Sequence, residues 1–235
     1  MPALSVVVPM FNEQNRVAAG LAGIASLRAR VGELEVILVD DGSTDETVAA
    51  ARAATGVRVL AEPHRGKGGA LRAGALAATG DRVLLVDIDW SVAPSQIPLL
   101  LACPADLVLA TREGPGSRRI GEPTWRHWLG RAFNQLVQKD LLAGHTDTQC
   151  GAKLLTRACA QDLFPRLTVE GWAYDIELLY LAHAHGYLVG EVPVVWRYEA
   201  ESRLRPVADG LAMWQDLRRM ARRARLRPGG PPGSP

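Results

Sequence analysis

Cysteine is scarce in this 235-residue chain. Cys103, Cys150 and Cys159 are an odd number with no C-x-x-C pair, which argues against a disulfide framework and for a reducing compartment. Zinc-ligand spacing is missing too, and His183 and His185, two apart, would project from different faces of a helix. No apolar run approaches the roughly 20 residues that cross a bilayer, and Met1 leads almost at once into a strand pattern instead of a secretory leader. These absences predict a soluble or peripheral protein. A phosphate loop of the form G-x-x-x-x-G-K-[ST] does not occur, nor does an internal repeat. Net charge is only +2, which gives no nucleic-acid signal, but it is unevenly placed. Glu201 to Arg227 holds eight Arg against three acids, a net +5, which leaves −3 for the preceding chain. At this length one α/β domain with a full core is expected, with or without a small appendage.

What is present centres on VLLVDIDWS, from Val83 to Ser91. Four apolar residues without polar alternation suit a strand covered on both faces, and they run into Asp87 and Asp89 with one spacer between. Ligands in open α/β sheets collect at the carboxyl ends of strands. Hard divalent ions such as Mg²⁺ and Mn²⁺ take one or two carboxylates plus substrate phosphates. The competing reading of the pair is a turn initiated by Asp.

Three earlier strands end in a similar way. LSVVVP (Leu4 to Pro9) runs into Asn12 and Glu13, then a helix to about Arg30. The strand from Glu35 ends in Asp40, Asp41 and a Gly42 turn, with Ser43 or Thr44 as N-cap of a short helix. VRVLAEP (Val57 to Pro63) empties into HRGKGGA, where Gly66, Lys67, Gly68 and Gly69 precede a helix to about Ala78. After the central stretch come a short helix past Pro94, a fifth strand at Ala105 to Glu113, and a polar segment at Gly114 to Pro123 that reads as a mobile loop. This alternation predicts a mostly parallel sheet with helices on both faces.

The second half is less regular. A helix is expected from Trp125 to Leu142, while His145 to Arg157 is too polar for a core element. Within Glu170 to Gly186, Trp172, Ile176, Leu179 and Tyr180 fall at helical spacing, and Asp175 lies on another side where it could face a cleft. Tyr187 to Glu199 reads as one more strand or hairpin arm, with Pro193 favouring an edge. A last helix from about Val207 to Arg225 places Leu211, Trp214, Leu217 and Ala221 on one stripe among arginines. That pattern suits either an interfacial helix facing anionic headgroups or an ordinary docked one.

Four strand ends on one rim, NE, DDGS, GKGG and DID, make an acid-rich site with a cation at its centre, suited to a nucleoside diphosphate. In this order and spacing, V-x-P-x-x-N-E, V-D-D-G-S-x-D-x-T, G-K-G and D-x-D resemble the inverting glycosyltransferases of family 2 over roughly Leu4 to Glu113. Further on, D-T-Q-C-G-x-K and G-W-A-x-D-x-E-L-L resemble the dolichyl-phosphate β-glucosyltransferase and polyprenyl-phosphate mannosyltransferase branch.

The resemblance implies the GT-A fold, a Rossmann-like α/β sheet flanked by helices, here with an amphipathic basic helix at the C-terminal end. It implies a UDP- or GDP-hexose donor, a polyprenyl or dolichyl phosphate acceptor, and Mg²⁺ or Mn²⁺ held by Asp87 and Asp89. Donor contacts are implied at Pro9, Phe11, Glu13, Asp41, Lys67, Asp87, Ile88, Asp147, Gln149 and Lys153. Catalytic roles fall on Asp89, Arg112 and Asp175, the last near where other family 2 enzymes keep a general base. Acceptor-phosphate contacts fall on Arg118, Arg119, Arg197, Ser202 and Arg203, because guanidinium groups pair with phosphate as a fork. For Glu13 and Asp41 the competing role is helix capping, and for Lys67, Arg118 and Arg119 a solvated loop. The chain departs from the D-A-D-x-Q of the mannosyltransferase branch at Ile88, Trp90 and Ser91.

A phosphomonoester with a second pKa of roughly 6 is already nucleophilic at pH 7, whereas a sugar hydroxyl needs a positioned base. The expectation is therefore a transferase domain over 1–200, a basic helical segment over 201–227 that touches a membrane surface, and a disordered tail over 228–235. It would sit in the cytoplasm, peripheral at the inner membrane face, without nucleic-acid partners. The alternatives are a family 2 enzyme acting on a soluble acceptor and a non-catalytic nucleotide-sugar-binding module.

Overall fold

The structure, a computed structural model, describes residues 2–124, 144–145, 147–199 and 206–226. The helix expected over 125–142, Ser202, Arg203 and the tail from Arg227 lie outside these residues. Strands β1 (Leu4–Met10), β2 (Leu34–Asp40), β3 (Arg58–Ala61), β4 (Arg82–Leu85), β5 (Leu107–Thr111), β7 (Lys153–Thr156) and β8 (Val189–Pro193) form one sheet in the order β3-β2-β1-β4-β7-β5-β8. β7 runs antiparallel to both neighbours, and the other pairings are parallel. Two short strands, β6 (Arg118–Ile120) and β9 (Val195–Arg197), pair in parallel beside it.

Helices cover both faces, which is why the strands read as apolar runs without alternation. Val7, Ile37, Val39, Val83 and Leu85 face one core, together with α3 (Lys67–Ala77), α5 (Arg157–Leu163) and α6 (Tyr174–Ala184). Their neighbours Val6, Val8, Val36, Leu38 and Leu84 face the other, against α1 (Val17–Val31), α2 (Thr47–Arg52) and α4 (Ile97–Leu101). Parallel register aligns the carboxyl ends: Met10 stands opposite Asp40, and the Val86 N–H still bonds Val7 one residue before Asp87. The polar strand ends thus share one rim, as the sequence predicts.

Three expectations are corrected. The polar stretch at 145–157 is not outside the core, because Lys153–Thr156 becomes β7 in the sheet interior, with Leu154 and Leu155 fully buried. Its polar residues mislead a count by composition: Asp147 and Lys153 are buried together with ionic partners. Gly114 to Pro123 is not simply a loop, since it contributes β6. Within Tyr187 to Glu199 the chain divides at Val194 into β8, on the sheet edge where Pro193 is tolerated, and β9.

The last helix, α7 (Pro206–Leu226), docks through Met213, Leu217 and Met220 into the core that α6 also enters. Of the expected stripe only Leu217 is buried, while Leu211 is 57% and Trp214 43% exposed. Among the described residues no helix is long and apolar enough to cross a membrane.

Candidate active site

The first two rim loops are tied to each other. Asn12, at a left-handed φ of 54°, donates its N–H to Ser43 Oγ and accepts from the Thr44 N–H through Oδ1. Thr47 Oγ1 accepts from the Glu13 N–H at 2.7 Å. The Glu13 carboxylate is buried and pairs with Arg16 at 3.4 Å. Asp40 folds back on the Gly42 and Ser43 N–H groups. Asp41, 3% exposed, accepts from the Arg65 and Gly66 N–H groups and from His64 Nδ1 at 2.8 Å. It therefore fixes the third loop at the start of α3, and His64 stacks on Phe11 with centroids 4.3 Å apart.

At the centre, Lys67 Nζ lies 2.6 Å from Asp87 Oδ1 and 5.3 Å from the Trp172 ring centroid. Burial opposes its charge, but Asp87, then Asp175 and Asp89, hold the ammonium above the ordinary lysine range. Asp89 is pushed above the usual carboxylate range by burial first and by Asp87 second. Ser91 donates both its N–H and its hydroxyl to Asp89 Oδ1, at 2.9 and 2.8 Å, so it orients that carboxylate.

Space around the acids is made by glycines. A Cβ on Gly151 would stand 2.2 Å from Asp87 Oδ2. On α1, a Cβ on Gly20 would meet Ile88 Cγ1 at 2.4 Å, and one on Gly23 would meet Trp90 Nε1 at 2.0 Å. Trp90, at φ 51°, donates Nε1–H to the Gly20 carbonyl. The D-I-D-W turn is thus wedged into a groove on α1.

Two carboxylates one spacer apart, both on half-buried residues, fit a hard divalent cation. Among the described residues no group of three or more His, Cys, Asp or Glu converges on a metal position. The remaining ligands would then be oxygens of substrate phosphate and water, the pattern usual for Mg²⁺.

Behind the acids stand two buried ion pairs. Arg112 meets Asp147 as a fork, with Nε to Oδ2 and Nη2 to Oδ1 both at 2.7 Å, and also donates its backbone N–H. Although burial works against ionisation, Arg112 holds the Asp147 carboxyl down at about 2. Lys153, 1% exposed, reaches Asp175 Oδ1 and the Cys150 carbonyl, each at 2.7 Å. The small sheet is anchored to this centre: the Arg197 N–H bonds the Ser91 carbonyl, and Trp196 lies 5.2 Å from the Arg112 guanidinium.

The sequence model described as Glycosyl transferase family 2 matches residues 5–164. The chain belongs to the family 2 glycosyltransferases. Among relatives of this family, the dolichyl-phosphate beta-glucosyltransferase of Drosophila melanogaster is 37% identical over 91% of this chain and 73% of its own. That of Mus musculus is 34% identical with the same coverage. Among solved structures, glucosyl-3-phosphoglycerate synthase from Mycobacterium tuberculosis in complex with UDP superposes with a TM-score of 0.67. It is 24% identical and covers 94% of this chain and 79% of that one. Its complex with Mn²⁺, UDP-glucose and glycerol 3-phosphate gives 0.67 at 23% identity, with 99% and 82% covered. The family's GT-A architecture is thereby matched, and the protein is a glycosyltransferase.

Within this family 2 frame the rim gathers Pro9, Phe11, Glu13, Asp41, Lys67, Asp87 and Asp89, while the Ile88 side chain turns into the core against Gly20 of α1. Gln149 joins through its backbone N–H, 3.3 Å from Asp147 Oδ1. Arg112, Asp147, Lys153 and Asp175 are brought together mainly with one another. Asp175, which by its helical position could face a cleft, is 5% exposed, and its neighbours Tyr174 and Ile176 on α6 are buried too. Arg119 is committed to Glu113 at 2.9 Å and Glu122 at 2.8 Å. Arg118 and Arg197 are exposed, and among the described residues neither guanidinium has a carboxylate partner. Sequence reasoning missed Gly151, Trp172, Trp196 and His64. Only the G-W-A and C-G motif positions offered a signal for the first two.

Proposed function

We propose that this family 2 glycosyltransferase moves glucose from UDP-glucose to a dolichyl or polyprenyl phosphate, with inversion, using Mg²⁺ or Mn²⁺ at Asp87 and Asp89. The observation that carries the acceptor class is the Lys153–Asp175 pair. A carboxylate buried against an ammonium at 2.7 Å is poorly placed to take a proton from a sugar hydroxyl. A phosphomonoester dianion needs no such base. The names of the relatives favour the same lipid phosphate and the glucosyl group.

In this reading Phe11, Glu13, Asp41 and the His64–Lys67 loop receive the nucleoside, and Lys67 serves the diphosphate. The bound divalent ion supplies charge neutralisation for the departing diphosphate. Arg118 and Arg197 hold the acceptor phosphate as charge-assisted forks, on a small sheet fastened to the Asp89–Ser91 turn. One phosphate oxygen attacks the anomeric carbon on the face opposite the leaving group. The bond from that carbon to the diphosphate oxygen breaks, and UDP departs with the electron pair. No proton moves in this step. Positioning and charge stabilisation supply the acceleration, and Arg112 contributes as a positioning residue through Asp147.

The exposed face of α7 suits the surface that carries the acceptor. Leu211 and Trp214 project from it with Arg218 stacked 4.6 Å over the Trp214 ring, and exposed Arg219 and Arg222 flank them. Apolar side chains among arginines match a headgroup boundary.

Purified protein with Mn²⁺ and labelled UDP-glucose or GDP-mannose, offered dolichyl phosphate or 3-phosphoglycerate, tests the reading. Label from UDP-glucose should enter the lipid phase at least tenfold faster than in any other pairing. Turnover confined to the soluble acceptor, or nucleotide binding without turnover, contradicts it.

A further inference from the structure

Lys67 is the first residue of α3, where the positive end of the helix dipole disfavours a cation. It sits there with its ammonium 2.6 Å from Asp87 Oδ1 and 5.3 Å from the Trp172 ring centroid. We infer that Lys67 is a resident cation that occupies Oδ1 of Asp87 in the free enzyme, and that metal and diphosphate must arrive together to release it.

The inference rests on the metal reading above. The carboxylates of Asp87, Asp89 and Asp175 face the ammonium groups of Lys67 and Lys153, which leaves the cluster one negative charge. A divalent ion added alone would turn the cluster positive and would also have to displace an ammonium ion-paired with its ligand at 2.6 Å. A diphosphate brings the compensating charge and gives the displaced ammonium a new partner. Lys67 can swing without dragging the backbone, because its loop is pinned separately. Asp41 holds Arg65 and Gly66, and the Gly69 N–H bonds the Glu170 carbonyl. Gly66 and Gly68 admit the facing segment, since a Cβ on either would approach the Glu170 or Val169 carbonyl oxygen to 2.7 Å. The consequence is protective: metal alone does not settle at an empty donor site.

Mn²⁺ titration followed by electron paramagnetic resonance, with and without UDP, tests this. Wild type should bind Mn²⁺ at least tenfold more tightly with UDP. K67M should bind Mn²⁺ alone at least fivefold more tightly than wild type. R72Q, which removes an equal charge from α3 at a guanidinium bonded to the Pro165 carbonyl, should stay within twofold of wild type. If K67M binds Mn²⁺ alone no better than wild type, or R72Q gains as much, the inference is overturned while the metal reading stands. Wild type that takes up no Mn²⁺ even with UDP overturns both. Should K67M fail to fold, acetylation of Lys67 in the wild type, mapped by mass spectrometry, decides. Labelling should stay within twofold when Mn²⁺ is added alone and change at least threefold when Mn²⁺ and UDP are added together; a threefold change with Mn²⁺ alone, or none with the pair, overturns the inference.

Discussion

Gly151 shows how much of the site depends on a side chain that is not there. Its missing Cβ leaves the Asp87 carboxylate its place, 2.2 Å from where that carbon would stand. Gly151→Ala should therefore weaken Mn²⁺-dependent UDP binding at least tenfold by calorimetry. Tm should fall by less than about 4 °C, the shift that about 1 kcal/mol produces in a domain of this size. An unchanged isotherm would show that Asp87 does not need that space. Asp147 gives a second test at this scale. Its carboxyl is held at about 2 by Arg112, below the ordinary aspartate range. A carboxyl depressed in the folded state contributes stability that is complete above the unfolded value and is lost as pH falls through the folded one. Denaturation between pH 5 and pH 2 should thus show on the order of 2 kcal/mol disappearing below about pH 4. Arg112→Met should remove that component. It should also cost roughly 3–5 kcal/mol at pH 7 by stranding a buried carboxylate.

Elements explain why some of this was legible and some was not. The four parallel strands and their polar ends could be read directly, because each strand is a short apolar run and each end carries residues that such a run would not keep without cause. β7 could not be read, since its flanks are rich in Asp, Thr, Gln and Lys. What makes those residues acceptable inside is pairing across the fold, Asp147 with Arg112 and Lys153 with Asp175, and no local pattern announces such partners. The apolar stripe of α7 misled for a related reason: two of its apolar residues face outward, and the docked face is supplied by Met213, Leu217 and Met220. Helix α1 carries a further test. Gly→Ala inside a helix ordinarily stabilises by about 1 kcal/mol. At Gly23 the new methyl would meet the Trp90 indole, so Gly23→Ala should instead destabilise by about 1–3 kcal/mol and slow transfer, measured by urea denaturation and a product assay. A stabilised Gly23→Ala would mean that the D-I-D-W turn is not seated on α1.

Taken whole, the molecule has polar strand ends on one rim, a small arginine-bearing sheet beside it and a basic helix with an exposed apolar face, and the proposed lipid-phosphate transfer uses all three. Replacing Leu211 and Trp214 by Ser should lower binding to vesicles containing anionic lipid at least fivefold in a flotation assay. Turnover of a short-chain prenyl phosphate in detergent should stay within twofold. Equal loss of both would assign these side chains to folding instead. The central claim is that Asp87 and Asp89 hold the ion through which the nucleoside diphosphate departs. Its most direct test is glucose transfer to dolichyl phosphate by the Asp87→Ala/Asp89→Ala double variant at saturating Mn²⁺. A fall of at least a thousandfold in a protein that still unfolds cooperatively is the predicted result, and transfer at the parental rate would contradict the account.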